Sequence, residues 1–419
     1  MNDRLPAPGT GPVLSLAERD RRWNGLRAAM TRRGLDAIVV GSFQGRERLE
    51  SYLIDDFLDS NVVLPAASEP VLLSFATGRM SRMLESERRG IAPWVTDRRI
   101  GFGGAKVAEV LKEKGLERGR LGIVGFGPTA PGETEGLVPH GFMKNLVASL
   151  PRAAIEDFTQ DYTDFMLVKS AEEIALLRHG AAVAERVCQV MADVTRPGVS
   201  EAEIYAEMMR ETYRHGCDAR YPFMSLQSGP DNIGWGAPRW LLRAEPPRRV
   251  QKGDLVQAEI HTLYGGQEAQ VQMAVALDPI NAENQKCEKV ARLAFEAGLK
   301  AVKPGATFGE VVQAMEAPIR ESGCWAKTPL LHTLTFGSTG FTPVNREQLA
   351  GTRDEPIEGL ARPGVRRPGL VLQEGMGLEL EPNACIGMHR VNIGSGVLVT
   401  ASGGEVLNDL PTRVFHRAG

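Results

Sequence analysis

Glu259 and His261 stand two residues apart, as do Gln270 and Gln272, and both pairs fall in segments where apolar and polar residues alternate. A period of two belongs to β-strands, so each pair shares one strand face. Tyr264-Gly265-Gly266 lies between the segments and supplies turn chemistry. Residues 255–261 and 269–277 therefore read as the arms of a β-hairpin whose four polar groups converge on one side. A carboxylate and an imidazole so placed can exchange a proton near neutral pH, and amides can orient a substrate. A surface hairpin with one wet face carries the same pattern.

Two further groups have chemical potential. Glu379 and Glu381 repeat the two-residue spacing on a strand expected over 371–382, with Cα atoms roughly 6.5–7 Å apart. Paired carboxylates in a dry pocket separate in pKa, leaving one protonated as an acid and the other ionised as a base. In the loop 228–249, Trp235, Arg239, Trp240 and Arg243 offer an aromatic wall and guanidinium forks, which suit an anionic or aromatic substrate. A loop packed on a domain interface would hold the same residues.

The elements that must position these groups belong to a chain of 419 residues, longer than one hydrophobic core usually serves, so two domains are expected. A net charge of -3 and 24% charged residues give no electrostatic case for nucleic acid or an anionic membrane, and a small molecule is the expected partner. The N-terminus lacks an apolar run of signal-peptide length and no segment has the length of a membrane span, which predicts a cytoplasmic protein. Cys188, Cys217, Cys287, Cys324 and Cys385 are scattered without metal-ligand or disulfide spacing and read as buried free thiols.

Along the chain, the Pro/Gly-rich residues 1–13 suit an arm. Ser15 and Glu18 form a capping-box signature before a helix with Leu16, Trp23, Leu26 and Met30 on one face, stopped at Gly34. Strands at 36–40, 61–64, 70–74 and 121–125 and helices near 105–114 and 143–150 make 14–162 an α/β domain. Gly125-Phe126-Gly127 with Ala130 matches a dinucleotide fingerprint, but Pro128, Pro131 and Gly132 follow where that fingerprint needs a helix. From 163 the pattern changes to long capped helices beginning at Ser170 and Ser200, then the hairpin, two more helices (284–302 and 308–321), and late strands with glycine turns.

Four segments of 163–419 resemble the pita-bread catalytic domain of the creatinase, aminopeptidase P and methionine aminopeptidase superfamily. They are LVKSAEEIALLRHGAAVAE, SLQSGPDN, GDLVQAEIHTLYGGQEAQVQMAVAL, and GMGLELEPN with GVLVTASGGEVLN. The residues before 163 resemble the smaller α/β domain that creatinase and aminopeptidase P place in front. The resemblance implies an α+β fold: a C-terminal pita-bread domain preceded by a creatinase-type N-terminal domain.

In the family's metallopeptidases two Asp, a His and two Glu hold a pair of metals that activate water. Those positions fall here on Glu259, Gln270, His332, Glu381 and Gly394, so two of the four carboxylate positions are lost. We therefore expect no native metal pair and no cofactor, with a single ion on Glu259, His332 and Glu381 left open. The family's other imidazole positions fall near Trp235 or Gly236, and on Thr339. Creatinase is the metal-free precedent, yet its upstream His is missing.

The remaining candidates for catalysis are His332, Glu381, Glu259, Glu379 and His261. Gln270, Gln272, Trp235, Arg239 and Arg243 are candidates for substrate binding, joined by Arg46 and Arg48 if a loop of the N-terminal domain reaches a neighbour's pocket in a homodimer, as the resemblance implies. The expected function is metal-independent, creatinase-like hydrolysis of a C–N bond in a small carboxylated molecule. Alternatives are a carbon–heteroatom lyase, an Xaa-Pro peptidase with residual metal, and a non-catalytic peptide- or protein-binding protein.

Overall fold

The computed structural model describes residues 9–43, 48–56, 59–129, 135–219, 224–231, 233–327, 329–335, 338–340, 365–410 and 413–418. Two compact units divide the chain: Val13–Met166, and a unit that runs from Leu167 onward and takes in the residues before Val13.

The first unit is built on β1 (Ala37–Gly41), β2 (Ser60–Pro65), β3 (Val71–Ser74), β4 (Asp97–Ile100), β5 (Arg120–Val124) and β6 (Ala154–Asp157), in the order β4-β3-β2-β1-β5-β6. β1 is antiparallel to β2 and parallel to β5, and both β1 and β2 are buried throughout. Continuous Val, Ile and Leu runs form these strands because both faces are covered. Helices α1 (Leu16–Arg33), α2 (Ser51–Ile54), α3 (Thr77–Arg88), α4 (Gly104–Glu113) and α5 (His140–Ser149) accompany the sheet, and α6 (Thr159–Leu167) closes the unit. Among the described residues the next helix after Gly127 is α5, as the prolines foretell.

Ser15 caps α1 by accepting from the Glu18 amide, but the expected capping box is incomplete. Glu18 turns instead to the buried Arg22 at 2.7 Å and to Arg21 at 2.8 Å, because a buried guanidinium demands a counter-charge. Trp23, Leu26 and Met30 face the core, whereas Leu16 is exposed. Gly34 ends the helix in the left-handed conformation at φ 65°.

The second unit begins with α7 (Ala171–Val194) and α8 (Glu201–Arg214), both opened by complete capping boxes, Ser170 with Glu173 and Ser200 with Glu203. β7 (Asp218–Ala219), β8 (Ser225–Gly229) and α9 (Arg239–Leu242) precede the hairpin β9 (Leu255–Tyr264) and β10 (Gln267–Asp278). Then come α10 (Ala282–Ala301) and α11 (Phe308–Glu321), followed by β11 (Trp325–Lys327), β12 (Leu331–Thr333), β13 (Thr339–Gly340), β14 (Val365–Arg366), β15 (Gly377–Leu380), β16 (Asn383–Ile386), β17 (His389–Asn392), β18 (Gly394–Thr400), β19 (Gly403–Val406) and β20 (Val414–Ala418). The larger sheet runs β14-β13-β12-β15-β18-β10-β9-β7, with β8 on β9, β19 on β18 and β20 on β10. A smaller sheet has the order β11-β16-β17.

The hairpin closes on Gly265 and Gly266, both at positive φ (54° and 76°), a two-residue turn that matches the twist of the arms. One face of it, Val256, Ala258, Ile260, Val271, Met273 and Val275, packs in the apolar core under α7 and α8. The other face holds Gln257, Glu259, His261, Glu268, Gln270 and Gln272, and each of these is also buried. The surface-hairpin reading is thereby corrected: the polar face is dry, so its groups must satisfy one another.

The strand expected over 371–382 forms only over Gly377–Leu380. β15 ends at Leu380, and β16 starts at Asn383 in the other sheet, because Pro382 has no N–H to continue the ladder. Glu379 thus lies on β15, while Glu381 sits at the corner, its amide donating to the Leu330 carbonyl at 2.9 Å. All five cysteines are free and buried. Among the described residues no helix is long and apolar enough to cross a membrane.

Candidate active site

Antiparallel pairing sets Glu259 opposite Gln272 and His261 opposite Gln270. β10 also pairs with β18, which pairs with β15, which pairs with β12, so the hairpin face continues onto Glu379 and His332. His332 and Glu379 are direct cross-strand partners.

Side chains link these strands into one buried chain. His261 Nδ1 lies 2.8 Å from Glu268 Oε1, and its Nε2 lies 3.4 Å from Glu259 Oε1. Gln270 donates its amide to Glu259 Oε1 at 2.8 Å and to Glu381 Oε2 at 3.4 Å. Gln272 donates to the same Glu381 oxygen at 2.6 Å. The other oxygen, Glu381 Oε1, faces His332 Nε2 at 3.4 Å. His332 Nδ1 meets the Thr333 carbonyl at 2.9 Å, and since a carbonyl only accepts, that nitrogen carries the proton and Nε2 is left for Glu381.

The electrostatics follow from burial. Burial pulls the His261 imidazole toward neutral, but the hydrogen bonds and charges of Glu259 and Glu268 outweigh it and its pKa stands above the ordinary value. Glu379 is raised well above the carboxylate range, first by burial and then by the charges of Glu381, Glu259 and Glu268. Among the described residues, both Glu379 oxygens and the amide oxygens of Gln270 and Gln272 are buried without a hydrogen-bond partner. The pocket wall therefore carries a carboxyl whose ionisation is disfavoured and amide acceptors that require donors.

Trp235 joins the cluster, its indole N–H donating to Glu259 Oε2 while about half of the residue stays exposed (54%). Gln227, oriented by its partners, donates to the Gly234 carbonyl and accepts from the Trp235 amide at 2.8 Å, which fixes this loop. Arg239 and Arg243 do not reach the cluster: both are exposed and turn to Glu245, at 3.1 and 3.3 Å. Trp240 packs edge-on against Tyr205. Arg48 pairs with Asp59 at 3.8 Å within the first unit, and Arg46 lies outside the described residues.

Three participants escaped the sequence reading. Glu268 shares the parity of Gln270 and Gln272, so continuing the alternation two residues back finds it. Lys327 donates to the Ile233 carbonyl at 2.6 Å, and the buried Arg390 donates to Asn383 Oδ1 at 2.8 Å. The Lys327 partner comes from a distant segment, whereas Arg390 and Asn383 lie on adjacent arms of one hairpin, β16–β17, that the sequence reading did not place.

The donors present do not fit the metal pair that the resemblance implies. Amide N–H groups of Gln270 and Gln272 point at the oxygens of Glu259 and Glu381 that a metal would need, and an N–H cannot coordinate a cation. At Gly394, a Cβ would collide with the Gln272 amide oxygen and the Leu380 carbonyl. Among the described residues no group of three or more His, Cys, Asp and Glu could hold a metal ion, Glu259, His332 and Glu381 included.

A C-terminal unit in which a hairpin and late antiparallel strands carry a buried polar site, preceded by a smaller α/β unit, defines a pita-bread hydrolase fold. The chain belongs to metallopeptidase family M24, whose model matches residues 175–401. Creatinase from Bacillus sp. (strain B-0618) is 24% identical over 376 residues, covering 87% of this chain and 86% of its own. Among solved structures, the Xaa-Pro dipeptidase from Bacillus anthracis superposes with a TM-score of 0.70 at 19% identity, over 95% of this chain and all (100%) of its own. The prolidase from Thermococcus sibiricus reaches a TM-score of 0.72 at 16% identity, over 97% and 100% of the two chains. These relatives are hydrolases of C–N bonds.

Proposed function

We propose that this chain hydrolyses a C–N bond in a small carboxylated molecule without a resident metal, and that the substrate presents an N–H-rich group to the buried acceptors. One observation carries the reading: the amides of Gln270 and Gln272 bridge Glu259 and Glu381 where the family's metals would be held. Unpartnered oxygens of Gln270, Gln272 and Glu379 then await donors, which an amidine, guanidine or amine would supply.

In this reading Glu381 and His332 act together as the base. The proton on His332 Nδ1 is fixed by Thr333, so Nε2 is the atom that takes a proton from water beside Glu381. The hydroxyl forms a bond to the carbon as the C–N bond breaks, and the electron pair leaves with nitrogen. Glu379, whose carboxyl burial raises well above the usual range, gives its own proton to that nitrogen and is reset by the proton taken up on His332, its cross-strand partner. Glu259, held by His261, Gln270 and Trp235, orients the substrate.

The test is turnover of creatine and related carboxylated guanidines by chelator-treated protein in ¹⁸O-labelled water. Label in the product and activity without added metal are expected. An alkene product free of label would make the enzyme a lyase, and turnover of Xaa-Pro dipeptides only with added Mn²⁺ would overturn the metal-free reading.

A further inference from the structure

Lys327 ends β11, and its ammonium donates to the Ile233 carbonyl at 2.6 Å. Among the described residues it forms no ion pair, although it is half-buried. Two residues after Ile233, the indole of Trp235 donates to Glu259. One short piece of backbone thus touches the ammonium at one end and a site carboxylate at the other. Lys327 is also the cross-strand partner of Asn383, two residues beyond Glu381, and Glu259 is among the charges acting on it, which sets the ammonium at the edge of the carboxylate cluster.

The position is electrostatically unfinished. Burial, assisted by the Arg390 guanidinium, pulls the Lys327 pKa down to about 7, against the opposing pull of Cys385 and Glu259. An ammonium has three donors and one carbonyl uses one of them. Partly withdrawn from water with one neutral partner among the described residues, the ammonium is incompletely satisfied, and an arriving anion relieves that. Arg390, buried behind it and fixed to Asn383, adds to the positive potential on this side.

We propose that Lys327 binds the substrate's carboxylate, with the N–H-rich end resting on Glu259, Glu381 and the glutamine amides. This rests on the reading of the site under Proposed function and adds its missing anionic subsite. Arg239 and Arg243, engaged with Glu245, are not that subsite.

Three probes separate the two ideas: guanidinoacetate, methylguanidine and acetate, each titrated by NMR into wild type, Lys327→Gln and Lys327→Arg. In wild type, guanidinoacetate is expected to bind on the order of tenfold tighter than methylguanidine. Lys327→Gln should erase that advantage and the binding of acetate, leave methylguanidine within about twofold, and Lys327→Arg should restore part of the loss. An advantage for guanidinoacetate that survives in Lys327→Gln overturns the proposal, as does an equal loss of methylguanidine, which would make Lys327 only a latch for the Trp235 loop. If neither guanidine binds wild type while acetate binds through Lys327, the N–H-rich substrate reading fails and the anion site stands.

Discussion

The side chain of Gln272 fills the space that any side chain at position 394 would need. The two residues are register partners across β10 and β18, and a Cβ on Gly394 would run into the Gln272 amide oxygen. The glycine leaves room for the Gln272 side chain, whose amide donates to Glu381.

Gly394→Ala is accordingly expected to destabilise the second unit by roughly 1–3 kcal/mol through overpacking. Adding Gln272→Ala should recover part of that, with a coupling above about 0.5 kcal/mol in urea unfolding, because the two changes act on one contact. The Leu380 carbonyl keeps the recovery incomplete. Strict additivity would show that the glycine answers to something other than Gln272.

The proton-transfer assignment predicts that His332→Ala and Glu381→Gln abolish turnover while circular dichroism and thermal unfolding stay close to wild type. Glu379→Gln separates charge from chemistry. Burial raises the Glu379 pKa well above the usual carboxylate range, so its neutral amide replacement should cost about 10²-fold or more in kcat with little loss of stability. Undiminished kcat in any of the three removes that residue from the mechanism.

How much of this was legible in the chain depends on where each partner sits. The hairpin was readable because alternation and Gly265-Gly266 are local signals, and so was the division at Pro382, although only the strand was expected there. Glu268 was legible by parity and was missed because the second arm was started at Ala269, whereas the two-residue turn lets β10 begin at Gln267. Arg239 and Arg243 misled because Glu245, a few residues on, takes both guanidiniums. The Gln272–Gly394 contact and the Lys327–Ile233 bond join segments about a hundred residues apart, and no local pattern encodes such pairs.

The first unit has its own pH response. Burial pushes the Glu50 carboxyl up to about 7, with its own backbone amide and Arg48 pulling down and Asp59 pushing up. A raised folded pKa means that the contribution to stability is fully present below the unfolded value near 4.5 and is lost as pH rises through 7. The loss is roughly 3 kcal/mol across that window. Glu50→Gln should flatten the pH dependence of unfolding between 4.5 and 7 and raise stability at pH 8, as read by thermal melts of the whole protein. A Glu50→Gln protein with the wild-type pH slope would place the titration elsewhere.

The central claim is that amides now hold together the carboxylates that metals hold in the family's peptidases. The most direct measurement is calorimetric titration of Mn²⁺ into chelator-treated protein, alongside Glu381→Gln and the double variant Gln270→Asp with Gln272→Ala. No saturable binding that depends on Glu381 is expected in wild type, and new binding is expected in the double variant, where the bridging amides are gone and a third carboxylate is present. One or two ions bound by wild type at micromolar affinity, and lost in Glu381→Gln, would contradict it.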